Sequence, residues 1–102
     1  MSLDIGIKAK REVYLYESNI TYNLSKIYYK CINGGLKSLN EMSCKQALPI
    51  LNKAIEGMIE HEEEYKELEP SNGWGSYDGL LEEFRLLRET CENNPDGIIE
   101  VC

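Results

Sequence analysis

The stretch GIIEVC, residues 97–102, is a short apolar run that follows directly on the turn sequence NNPDG, residues 93–97. In that turn Asn94 takes position i, Pro95 presets the backbone at i+1 and Gly97 closes a type I turn at i+3. An apolar strand at a chain end stays ordered only where it is tied down. The other end of the sequence offers the tie. Residues 4–16, DIGIKAKREVYLY, alternate: Ile5, Ile7 and Ala9 oppose Asp4 and Lys8, and Val13 and Leu15 oppose Tyr14 and Tyr16. Period two with β-branched and aromatic residues predicts two short strands that turn near Lys10-Arg11. A lone hairpin is marginal, so residues 98–102 are expected to join it as a third strand.

Between these strands the period changes. In ESNITYNLSKIYYKC, residues 17–31, Ile20, Leu24, Ile27, Tyr28 and Cys31 make one helical stripe, with Ser18 or Asn19 as the expected cap. INGG, residues 32–35, stops this first helix. The second is expected from SCKQ, residues 43–46, an S-x-x-Q capping box. Pro49 lacks a backbone N–H and argues for a start one turn later. Leu48, Leu51, Ile55, Met58, Ile59 and Tyr65 mark its buried face, and Gly57 in its interior suggests close packing. The third helix reads SYDGLLEEFRLLRETCE, residues 76–92, with Ser76 as cap, Asp78 in the first turn and an apolar stripe of Tyr77, Leu80, Leu81, Phe84, Leu87 and Cys91. The expected fold is α+β, a single domain over residues 1–102. Three helices pack on one face of a small antiparallel sheet, in the order β-β-α-α-α-β.

A chain of 102 residues buries roughly 60–70% of its unfolded surface around one core. Its composition, 42% apolar and 28% charged, is that of an ordinary soluble domain. No apolar run approaches the roughly 20 residues of a membrane span, and no basic-then-apolar leader opens the sequence; the expected location is cytoplasmic, without a membrane partner. Cys31, Cys44, Cys91 and Cys102 contain no C-x-x-C pair, and His61 is the single histidine. Two disulfides would allow three pairings, but a reducing compartment favours free thiols that serve as small buried hydrophobes. Zinc sites show close ligand pairs that are absent here, so neither metal nor cofactor is expected.

The net charge of −7 is polarised. Residues 1–53 carry eight Lys/Arg against four Asp/Glu, and residues 54–102 carry three against fourteen. An acidic chain is a poor nucleic-acid ligand, because phosphate neutralisation drives that affinity, and nucleic acid is not an expected partner. The acid is densest in EHEEEYKELE, residues 60–69, where negative charge at a helix C-terminus opposes the macrodipole. Glu60, Glu62, Glu63 and Glu64 read either as a solvated face or as a docking surface for a basic partner.

PSNGWGSYDG, residues 70–79, puts the only tryptophan among three glycines. Glycines 73 and 75 suit positive φ. Trp74 is expected to seal the turn against the core, its indole N–H bonded to a carbonyl. The alternative is a small-ligand site. Asn19, Thr21, Asn23, Asn72, Trp74 and Tyr77 would converge if the starts of the first and third helices lay together, with amide groups to donate and accept and an aromatic wall beside them.

At these residues the sequence resembles a family of small bacterial and phage-associated proteins. The resemblance rests on NITYNL, residues 19–24, on PSNGWGSYDGLLEEF, residues 70–84, and on CENNPDGIIEV, residues 91–101; it covers about residues 4–101. It implies a shared fold and a phage or prophage setting, and it supplies no chemistry. The family's early motif often has histidine where this chain has Tyr22, so no metal ligand or general base carries over to that position.

No P-loop, dinucleotide fingerprint or nucleophile elbow is present. GWGSYDG has a glycine rhythm but lacks the Lys-Ser/Thr that holds phosphate and Mg²⁺. An enzyme is therefore not the expected class. A non-enzymatic interaction or adaptor protein is, with a protein partner or self-association. Polarised charge, the acidic stretch and Tyr14, Tyr16, Tyr28 and Tyr29 are its candidate features, because tyrosine and tryptophan are favoured at interfaces.

Overall fold

The computed structural model describes residues 2–9 and 14–102. Strands β1 (Ser2–Lys8), β2 (Tyr14–Thr21) and β3 (Ile98–Val101) form one antiparallel sheet in the order β2-β1-β3. Helices α1 (Ser25–Cys31), α2 (Cys44–Glu60), α3 (Glu62–Lys66) and α4 (Tyr77–Asn93) lie between β2 and β3 in the chain. The short α3 continues α2 past a break at His61. The fold is thus the α+β arrangement read from the sequence, with the last strand paired to the first. The turn expected at Lys10-Arg11, and Val13 beside it, lie outside the described residues.

Alternation in β1 decides which sheet face is covered. Leu3, Ile5 and Ile7 are buried and, with Ile20 of β2 and Ile99 and Val101 of β3, form the sheet side of a single core. Asp4, Gly6 and Lys8 point to the open face. The pairing of β1 with β2 slips once: Ile7 faces Tyr16 while Lys8 faces Tyr14, which makes Leu15 the extra residue of a bulge. The slip sends two tyrosines of like parity to opposite faces. The Tyr16 hydroxyl donates to Glu83 of α4 on the covered side. Tyr14 lies over Gly6 on the open side, where a Cβ on that glycine would come within 3.3 Å of the ring. Leu15 is left exposed.

β2 runs farther than its sequence suggested. Ser18 and Asn19, expected as helix caps, are strand residues. Ile20 reaches the core from the sheet, and α1 starts only at Ser25, after a 3₁₀ turn over Tyr22–Leu24. The cap of that turn is Thr21, whose hydroxyl accepts from the Asn23 N–H at 3.2 Å.

α2 begins where the capping box places it. Ser43 accepts from the Gln46 N–H at 3.2 Å, and the Gln46 side chain accepts from the Ser43 N–H at 3.0 Å. Pro49 is inside the helix and does not delay its start. The buried arc is Cys44, Ala47, Leu51, Ala54, Ile55 and Met58. At about 100° per residue, Leu48 and Ile59 fall on its flank, and Ile59 is exposed, contrary to the sequence reading. Gly57 does not mark a close approach. Among the described residues, a Cβ there would meet only the Tyr65 hydroxyl, at 3.7 Å. Gly57→Ala is therefore expected to raise stability by about 0.5–1 kcal/mol, visible as a higher urea midpoint. An unchanged or lower midpoint would mean that the helix needs the glycine for another reason.

α4 buries the stripe its spacing predicts, from Tyr77 through Leu80, Leu81, Phe84 and Leu87 to Cys91. One element was not anticipated. Residues 40–44 run along the outer edge of β3: Glu41 N–H donates to the Ile99 carbonyl at 2.7 Å, Ile99 N–H to the Met42 carbonyl at 2.9 Å, and Val101 N–H to Asn40 Oδ1 at 2.9 Å. This strap satisfies edge groups that would otherwise invite another strand.

Candidate functional site

The segment from Glu67 to Ser76 joins α3 to α4 and is built from its polar side chains inward. Ser76 caps α4 by accepting from the Gly79 N–H at 3.0 Å. Glu69 Oε1 accepts from the Tyr77 N–H at 2.7 Å, so a carboxylate sits on the positive end of the helix. The sequence reading missed this second cap, since a separation of eight residues across a loop has no periodic signature. Asn72 Oδ1 accepts from the Trp74 N–H at 2.9 Å, an Asx turn. Gly73 and Gly75 both have positive φ, +75° and +115°.

Trp74 does not seal the core. It is 71% exposed, the most exposed large hydrophobic side chain of the described residues. The correction has a local cause. Gly75 is pressed against Thr21 and Leu24, so closely that a Cβ would fall 2.9 Å from Leu24 Cγ. The backbone, not the indole, makes the contact with the core, and the Asx turn aims residue 74 away from it.

The other corner residues scatter. Tyr77 is buried, with its hydroxyl donating to the Met58 carbonyl at 2.6 Å, and burial holds its pKa above the ordinary tyrosine value. Asn19 donates to Asp4 Oδ1 at 2.7 Å across β1 and β2. Asn23 donates through Nδ2 to the Thr21 hydroxyl at 3.1 Å. Asn19 and Thr21 line a cleft of about 290 Å³ with Gly75, Ser76, Gly79 and Glu83. Asn23 and Asn72 line a separate one of about 430 Å³ with Tyr22, Lys26, Glu69 and Ser71. The six residues do not form one pocket.

The acidic run divides at His61. Glu60 ends α2; Glu62, Glu63 and Glu64 form the first turn of α3, where the macrodipole favours them. The sequence reading put all four at an unfavourable C-terminus, and the break in the helix removes that conflict for three. All four are exposed. Lys66 pairs with Glu62 at 3.5 Å and Lys30 with Glu64 at 3.2 Å, surface contacts worth little in stability.

The tyrosines also separate by role. Tyr28 is buried in the core, whereas Tyr29 is half exposed over Gly35. On the open sheet face Tyr14 donates to Glu100 at 3.2 Å, which raises its pKa, and Lys8 pairs with the same carboxylate at 3.4 Å. Tyr14 and Glu100 border a depression of about 530 Å³ that includes Asp4, Gly6, Glu17 and Asn19. Among the described residues no group of three or more His, Cys, Asp or Glu side chains is placed to hold a metal ion, and no helix is long and apolar enough to cross a membrane.

Comparison of the chain with protein-family models, with curated proteins and with solved structures returns no match.

Proposed function

We propose that this is a non-enzymatic interaction module that presents Trp74 to a basic protein partner. The observation that supports the reading is the 71% exposure of a tryptophan whose backbone is fixed on both sides. Burying a large indole is a strong driving force, and a soluble domain that leaves one in water keeps that free energy for a partner. Tryptophan is among the residues most enriched at binding hot spots. Preorganisation by the Asn72 turn and by the seat of Gly75 reduces the ordering cost on association. The charge around the segment sets the chemistry of the partner: Glu60, Glu62, Glu63 and Glu64 precede it, and Glu67, Glu69 and Asp78 flank it. A surface with an apolar pocket ringed by Lys or Arg is complementary, with the carboxylates contributing steering and specificity more than affinity. The phage or prophage setting suggested by the sequence is part of the same proposal, as is the cytoplasm as its place of action.

Selection of a random dodecapeptide display library on the immobilised protein tests this. Peptides that pair Lys/Arg with an apolar anchor should be enriched, and Trp74→Ala should weaken the best of them by about 30-fold or more, the loss of a hot spot of at least ~2 kcal/mol. Absence of enrichment, or equal binding by Trp74→Ala, would refute the reading. Sedimentation of the free protein distinguishes the remaining version, self-association: a concentration-dependent dimer abolished by Trp74→Ala would make a second copy the partner.

A further inference from the structure

α2 and α4 form an antiparallel pair whose two ends differ. At one end is the segment that carries Trp74. At the other, Cys44 is the first residue of α2 and Cys91 lies in the last turn of α4. Both are completely buried, and their sulfurs are 2.7 Å apart, with Cys91 Sγ donating to Cys44 Sγ. The pair is seated under the turn before β3. The Cys44 N–H donates to the Gly97 carbonyl at 2.7 Å, and a Cβ on Gly97 would come within 3.2 Å of Cys44 Sγ. The other two thiols have no such partner: Cys31 donates to the Tyr28 carbonyl at 3.7 Å and Cys102 is exposed on the last residue.

The geometry points to Cys44 and Cys91 as an oxidation site that closes, with hydrogen peroxide as oxidant, into a disulfide linking the base of the α2–α4 pair. A disulfide needs the two sulfurs in contact with their side chains facing each other, and the pair meets that condition. They are 47 residues apart in the chain, and the packing of α2 on α4 brings them together. Cys44 is the sulfur oxidised first. It stands at a helix N-terminus, which favours thiolate, and it accepts a hydrogen bond from Cys91, which partly offsets the upward push of burial on its pKa. Its thiolate attacks one peroxide oxygen, the O–O bond breaks, and protonation of the departing hydroxide gives water and Cys44 sulfenic acid. The Cys91 sulfur then attacks the Cys44 sulfur, the S–O bond breaks, and the Cys91 proton leaves with the hydroxide as a second water. Two thiols are oxidised by one electron each and one peroxide is reduced to two waters. Burial of both sulfurs makes entry slow and selects for a small oxidant. The product ties together the ends of α2 and α4 that lie away from the Trp74 segment.

The test uses the unmodified chain. Native protein is incubated with hydrogen peroxide, alkylated, digested without reduction and mapped by mass spectrometry. The expected result is a peptide pair joined through Cys44 and Cys91, with loss of two hydrogens from the intact mass. Its formation should raise the thermal midpoint by about 10 °C, because a long loop is closed in the unfolded chain, and dithiothreitol should reverse both changes. Cys44→Ala and Cys91→Ala should each abolish the cross-link and the shift; if either fails to fold, the map of the unmodified chain still decides. Linkage through Cys31 or Cys102, oxidation of Cys44 to sulfinic acid without a cross-link, or cross-linking only after denaturation would overturn the assignment.

Discussion

Gly75→Ala should destabilise the protein by about 3 kcal/mol, while Gly73→Ala, two residues away, should cost only about 1 kcal/mol. The contrast isolates packing from backbone strain. Both glycines have positive φ, +75° at Gly73 and +115° at Gly75, and a side chain in that region costs roughly 1–2 kcal/mol. At Gly73 nothing else follows, since a Cβ would find no atom of the described residues within 4 Å. At Gly75 the new methyl would sit 2.9 Å from Leu24 Cγ, 3.0 Å from Thr21 Cγ2 and 3.1 Å from Leu24 Cδ1. Leu24 is buried, so it cannot swing into solvent, and overpacking of this kind adds about 1–3 kcal/mol. Urea unfolding followed by circular dichroism measures both. With a slope of ~1–3 kcal/mol/M, the Gly75 variant should lose at least about 1 M in midpoint and the Gly73 variant clearly less. Equal losses would show that φ alone fixes the segment, and the seat that turns Trp74 outward would then have no energetic role.

That seat also explains what was and was not legible in the sequence. The closing strand, the capping box at Ser43, the Ser76 cap and the whole apolar stripe of α4 are local patterns, and local pattern was enough. Two kinds of error arose where a local signal had two meanings. Ser18 and Asn19 are good helix caps, and Ile20 keeps helical spacing to Leu24, but the same Ile20 also completes the alternation of β2 opposite Leu3. Tertiary pairing with β1 decided in favour of the strand. Trp74 is a core residue by hydrophobicity, yet the close approach that excludes it belongs to Gly75, Thr21 and Leu24, residues far apart in the chain. The strap over β3 was invisible for a different reason: its hydrogen bonds come mainly from backbone groups, which every residue has. The candidate corner fared in the same way. Polar residues near helix starts could be found by reading, but whether they converged depended on where β2 ended.

Phe84→Ala and Trp74→Ala should give opposite results, and the pair is the sharpest check on which aromatic serves the fold and which the interface. Phe84 is the only phenylalanine, fully buried on α4 among Leu80, Leu81 and Leu87, with the sheet on one side of the helix and α2 on the other. Truncating it removes its apolar burial and leaves a cavity the two layers cannot collapse to fill, a loss of about 3–5 kcal/mol. Against a typical total of roughly 5–15 kcal/mol, that is enough to leave the variant marginal or unfolded at 37 °C. Phe84→Leu, which keeps most of the volume, should recover the larger part of the loss. Trp74→Ala removes more side-chain atoms but should shift stability by no more than ~0.5 kcal/mol, since the indole is mainly in water. Its effect should appear in peptide binding, about 30-fold or more, with an unchanged urea midpoint. Urea curves on the three variants, run beside binding of one selected peptide, separate the two roles. A Trp74 variant that loses several kcal/mol would return the indole to the core and remove the basis for the proposed interface. A Trp74 variant that stays folded and no longer binds would place the function of the loop in the most exposed large aromatic side chain of the described residues.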